Sequence, residues 1–153
     1  MIRTDGAGNE LWRRSYPALI TCQRIEPTAD SGFVVSGNNP IGGYFAKLDA
    51  QGNVEWQRQI AGSNGTSGLV QQTADGGYTG VVGGEIIRLN PNGSIRWRQT
   101  PLTNINALYS DWVRAADGGY VLTGSTGSIP PFIGSSLVLK TDSTGNVNYA
   151  TLD

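Results

Sequence analysis

Apolar residues in this chain come in short runs, separated by clusters of glycine, aspartate and asparagine. Between Gly68 and Thr100 the runs read GLVQQT, YTGVV, EIIRL and SIRWRQT. They are rich in Val, Ile, Tyr, Trp and Thr, residues that suit a pleated, half-buried surface. No window sustains the three-and-four apolar spacing of an amphipathic helix. The pattern predicts an all-β chain built from a unit of four short strands, A to D.

The unit recurs. KLDAQGNVEW (Lys47 to Trp56) has counterparts in RTDGAGNELW from Arg3, RLNPNGSIRW from Arg88 and KTDSTGNVNY from Lys140. Anchored on Asp5, Asp49, Asn90 and Asp142, the copies stand 44, 41 and 52 residues apart. Each has a base two positions before the anchor (Arg3, Lys47, Arg88, Lys140) and a glycine three after it (Gly8, Gly52, Gly93, Gly145). Seven after it stands a large aromatic: Trp12, Trp56, Trp97 or Tyr149. A second motif alternates with the first: TADSGFVVSG from Thr28, TADGGYTGVVG from Thr73 and AADGGYVLTG from Ala115. Both motifs carry residues that tolerate positive φ at tight turns, so each reads as a hairpin, C–D for the first and A–B for the second.

Four antiparallel strands in 41 to 52 residues is the size of a propeller blade. A β-solenoid repeats more uniformly with fewer residues per coil, and a β-sandwich requires no such copies. The expected architecture is one repeat domain over 1–153: a partial blade at 1–16, then blades at 17–60, 61–101 and 102–153. ADGGYVLTG followed by LVLKTDSTGNV resembles the repeats of bacterial β-propeller proteins. LDAQGNVEW is similar to the tryptophan-docking repeat of quinoprotein propellers, which places Trp four residues after a glycine. Trp12, Trp56 and Trp97 keep that spacing. Thr usually precedes the glycine in that family, and Ala7, Gln51 and Asn92 stand there instead. The resemblance implies the fold, a docking role for the tryptophans and a secreted or cell-surface setting. It implies no cofactor.

Composition changes the picture little. Glycine is 22 of 153 residues, which suits a turn-rich chain. A net charge of -1 leaves no electrostatic footprint for nucleic acid or an anionic membrane. No apolar run approaches the roughly 18 residues of a membrane helix, and the N-terminus lacks the apolar core of a signal peptide. Cys22 is the single cysteine and reads as a small buried apolar residue.

Candidate chemistry is sparse. One carboxylate in DAQGN, replaced by Asn90 in another copy, is a poor calcium loop and a good turn cap. The tryptophans could stack sugars, but a fixed offset from a turn favours a packing wedge. The recurrent bases read as solvated or ion-paired surface residues. With no histidine and one unpaired cysteine, a non-enzymatic binding scaffold is expected, its ligand a protein or a glycan. Glu26 and Asp111, on strands A near a possible central channel, are the one plausible acid pair.

A–B and C–D turns are uniform, whereas the B–C and D–A links differ in every copy. Binding residues favour variable loops on a rigid scaffold. The candidates on that face are Tyr16, Asn38, Asn39, Tyr44, Asn64, Asn104, Asn106, Tyr109 and Phe132. Trp112 takes the strand-A position of Ile25 and Val70 and is expected to pack in the core. The chain holds three A–B hairpins but four C–D hairpins. Self-association into a ring-closing dimer, neighbouring blades of a longer chain, or replacement of the last strand by the N-terminal hairpin would each resolve the mismatch.

Overall fold

The computed structural model describes residues 1–17, 21–61, 68–103, 107–127 and 135–152, the last four as backbone. Every regular element among them is a strand. The first two, β1 (Ile2–Thr4) and β2 (Glu10–Arg13), form a hairpin of their own. Three four-stranded antiparallel sheets follow, each a simple up-and-down meander. Sheet I holds β3 (Thr21–Pro27), β4 (Phe33–Asn39), β5 (Gly42–Leu48) and β6 (Val54–Ala61). Sheet II holds β7 (Leu69–Gln72), β8 (Tyr78–Val82), β9 (Glu85–Leu89) and β10 (Ile95–Gln99). Sheet III holds β11 (Ala107–Arg114), β12 (Tyr120–Thr126), β13 (Ser136–Thr141) and β14 (Val147–Leu152). The chain is therefore all-β, with three blade-like sheets and an extra N-terminal hairpin. The last sheet completes itself with β14, so the N-terminal hairpin does not replace that strand.

The repeated turns share one hydrogen-bond scheme. In the C–D turn at Asp49, the backbone N–H of Gly52 donates to the Asp49 carbonyl at 3.1 Å. Asp49 Oδ1 accepts the backbone N–H of Gln51 and of Asn53, and Oδ2 accepts the Asn53 side-chain amide. Asp5 and Asp142 do the same for their turns. Gly52 and its counterparts take φ near +80°, the left-handed region where a Cβ is strained. These aspartates are turn caps.

The recurrent bases correct an expectation. Lys47 and Arg88 are buried, and each reaches along its own sheet to the aspartate of the A–B turn. The pairs are Lys47–Asp30 at 2.7 Å, Arg88–Asp75 at 2.5 Å and Lys140–Asp117 at 2.7 Å. The base passes over the glycine that follows the aspartate by two residues. A Cβ on Gly32, Gly77 or Gly119 would sit 2.1–2.5 Å from the backbone carbonyl of Leu48, Leu89 or Thr141 and 2.5–2.7 Å from the base nitrogen, and the carbonyl contact accounts for glycine in all three copies. A buried charge is tolerated only when paired, and these are. Arg3 belongs to a hairpin with no A–B partner and lies instead over the Phe33 ring of sheet I.

The core forms between sheets. Val34 and Phe45 of sheet I meet Tyr78, Ile87 and Leu89 of sheet II. Val81 and Ile86 of sheet II meet Tyr120, Leu122, Leu137 and Leu139 of sheet III. Val35, Ala46 and Leu48 on the other side of sheet I pack against Met1, Tyr16 and Phe33. Sheet II is thus covered on both faces, which is why β8 and β9 are buried at nearly every position rather than at alternate ones.

Candidate functional site

The first strands of the three sheets line one small, open cleft. Its lining comes from three adjacent register positions of the first strands: Arg24 and Glu26 on β3, Leu69 to Gln71 on β7, and Asp111 and Trp112 on β11. The strand pairings place Ile25, Val70 and Trp112 opposite Val35, Gly80 and Leu122, equivalent residues of the three second strands. Trp112 is buried and packs edge-to-face on Tyr120 at 5.6 Å, the core role expected of it. Trp112 also counts among the residues that line the cleft.

Polar groups line the same cleft. Arg24 donates to Glu26 at 2.7 Å, an exposed pair on one strand. Asp111 Oδ1 accepts the backbone N–H of Trp112, leaving Oδ2 toward further donors. Gln71 and Asp111 are exposed, and Glu26 is half-buried. Glu26 and Asp111, expected near a central channel, therefore do line one cleft. Arg24, Leu69 and Gln71 escaped sequence reasoning. Their signal was present: Arg24, Leu69 and Asp111 occupy one repeat position with three different chemistries, while the position beside it stays apolar.

The residues expected on the variable face fare differently. Tyr44 is buried, and its hydroxyl donates to the Thr21 carbonyl at 2.9 Å beneath β3. Burial pushes that phenol up to about 12. Tyr109 is also buried, within the core between sheets II and III, and desolvation raises its phenol to about 12. Neither presents a surface: β5 is buried at every position, and on β11 the alternation of the strand turns Tyr109 into the core. Tyr16 is half-buried and donates to the Gly52 carbonyl at 2.7 Å, so it packs on the uniform C–D turn of sheet I. Asn38 and Asn39 end β4. Asn39 Oδ1 accepts the Ile41 N–H and its amide donates to Gln59, which holds the B–C turn shut. Asn64, Asn104, Asn106 and Phe132 lie outside the described residues. Cys22, expected to be buried, is exposed because β3 is an edge strand.

Each of the three tryptophans sits on the glycine turn of the next sheet. Trp12 Nε1 donates to the Ala50 carbonyl and Trp56 Nε1 to the Pro91 carbonyl, both at 3.0 Å. A Cβ on Gly52 or Gly93 would meet the ring at 2.8 or 2.5 Å. Edge-to-face contacts to Phe33, Tyr78 and Tyr120 complete the three seats. The Tyr149 side chain lies outside the described residues, although its backbone pairs with Lys140 as Trp56 does with Lys47. Among the described residues no group of three His, Cys, Asp or Glu side chains converges as a metal site. Among the described residues there is no helix long and apolar enough to cross a membrane.

No protein-family model and no curated protein matches the chain. Among solved structures, a protein of unknown function from Bacteroides caccae is similar at a TM-score of 0.42 and 14% identity, over 97% of this chain and 73% of that one.

Proposed function

We propose that the chain is a non-enzymatic β-propeller-type binding scaffold whose ligand is a glycan held at the cleft between the inner strands. The observation that carries this reading is the mixed hydrogen-bonding set that lines one cleft. Glu26 and Asp111 accept, Arg24 donates, and Gln71 does both, all beside Trp112. A polyhydroxylated ligand offers donors and acceptors in the same close alternation. The tryptophans at the turns support the scaffold half of the reading, because all three rings are seated on the next sheet and Trp12 and Trp56 also spend their N–H groups there.

Titration against a panel of neutral and acidic oligosaccharides, followed by backbone amide shifts, tests the proposal. Shifts should cluster on β3, β7 and β11, and the double variant Gln71→Ala/Asp111→Ala should weaken binding at least about tenfold, near 1.4 kcal/mol. Saccharides that shift nothing, or that bind the double variant equally well, would defeat it. Shifts confined to the outer loops with a peptide ligand would favour a protein partner instead.

A second reading, a segment of a larger propeller, is favoured by one observation: among the described residues, no sheet packs on the outward face of sheet III, where Val138 is 44% exposed.

A further inference from the structure

The array of sheets has two unequal ends. Each internal interface is built from the same residues. On the forward face of sheet I, the cross-strand pairs Val34–Lys47 and Ser36–Phe45 are buried against sheet II. On sheet II the equivalent pairs, Thr79–Arg88 and Val81–Ile86, are buried against sheet III. On sheet III the equivalents are Val121–Lys140 and Thr123–Val138. Here Thr123 is exposed, Val121 and Lys140 are half-buried, and Val138 is 44% exposed, whereas Phe45 and Ile86 are each at 0%.

The opposite end is the complement. The backward face of each sheet offers an apolar residue three positions before the anchor: Ala46, Ile87 and Leu139, all fully buried. In the N-terminal hairpin that residue is Ile2, 51% exposed. The seats tell the same story. Gly52, Gly93 and Gly145 are each covered by side chains of the preceding sheet or hairpin, while Gly8 has nothing within 4 Å of a built Cβ. One end therefore carries an unfilled forward face, and the other an unfilled backward face with an empty seat.

We infer that the forward face of sheet III in one copy docks on the β1–β2 hairpin of a second copy, and that two copies close head to tail. The occupant is this chain itself because the hairpin already repeats, at Ile2 and Gly8, what sheet III meets nowhere else. The contact continues an interface the fold already makes. Val138 would meet Ile2 as Phe45 meets Ile87 and as Ile86 meets Leu139. A heterologous contact of this kind closes a ring or grows without limit. Two copies supply six four-stranded sheets and two hairpins, within the four to eight positions typical of propellers. Three copies would exceed that range before their hairpins are counted. This extends the scaffold reading, yet the two fail separately: a monomer that still binds saccharide leaves the scaffold standing.

Light scattering coupled to size exclusion at roughly 50 µM, well above a 1 µM dissociation constant, decides the matter. Wild type should elute at twice 16.2 kDa. Val138→Glu alone and Ile2→Lys alone should each elute as a folded monomer by circular dichroism, since both positions are exposed in the single chain. Mixing the two variants should restore the doubled mass, because one interface is then unmutated and the other pairs Glu with Lys. A wild-type monomer, a dimer indifferent to both variants, no recovery on mixing, or a mass that grows with concentration would each overturn the inference.

Discussion

Trp56 shows what one side chain does in this repeat. Its ring is half-buried, covers Gly93, donates to the Pro91 carbonyl and meets Tyr78 at 5.2 Å. Fully burying such a ring removes about 150–250 Å² from water. Trp56→Ala should lower unfolding free energy by about 3 kcal/mol, the low end for a large aromatic truncation, because the ring keeps some exposure. Denaturant titration measures it. A loss below 1 kcal/mol would mean that the seat contributes little. The glycine beneath gives a matched pair. Gly93→Ala meets both a left-handed φ of 76° and the indole, whereas Gly8→Ala meets φ 87° and open space. The first should cost clearly more than the second, whose strain alone is about 1–2 kcal/mol. Asp49→Asn should cost within about 1 kcal/mol, since Asn90 fills the equivalent place, and millimolar calcium should shift the melting of neither form.

At the scale of the hairpin, the two motifs act on each other. The base of each C–D hairpin grips the aspartate of the A–B turn in its own sheet, so neither turn is independent of the other. The bond from Lys47, with that from Thr28, holds the Asp30 carboxyl down at about 2. Asp75 lies lower still through Thr73 and Arg88, and Asp142 is held at about 2 by Thr144 and Asn146. Burial alone would lower the Lys47 ammonium, but Asp30 and Glu55 outweigh it and raise it. The carboxylates have folded values below their unfolded ones, near 3.8. The unfolded chain therefore binds more protons as pH falls from about 5, and stability rises with pH through that range. Stability from these groups should be complete above about pH 5 and should fall progressively down to about pH 2. Melting temperature measured across that range at constant ionic strength checks this. A flat profile would show that the pairs do not couple to folding.

Across the whole molecule, protection should follow cover. Sheet II is packed on both faces, sheet III on one, and the β1–β2 hairpin is a two-stranded unit resting on sheet I. Local opening costs least where little apolar contact is lost. Amide exchange should therefore be slowest on β8 and β9, faster on β13, and fastest on β1. Comparable protection on β1 and β9 in dilute protein would contradict that order. At concentrations where two copies associate, protection of β1 and β13 should rise together.

The sequence alone was enough for the strands, their order and their turns, because those depend on local chemistry. Asp49 caps its own turn within four residues, Gly52 supplies its own φ, and apolar runs bounded by such turns have one local solution. The period of the motifs was equally legible, since equivalent residues sit in equivalent places. Tertiary structure decided what faces what. Nothing local distinguishes Lys47 as buried from Lys140 as partly exposed. Only the presence of a following sheet does so. Nothing local shows that Tyr44 and Tyr109, read from variable links, are buried, because the cover over β5 and β11 comes from elements distant in sequence. The cleft was half visible. Glu26 and Asp111 could be named from strand A, but Arg24 and Gln71 joined them only when three strands distant in sequence met along one edge.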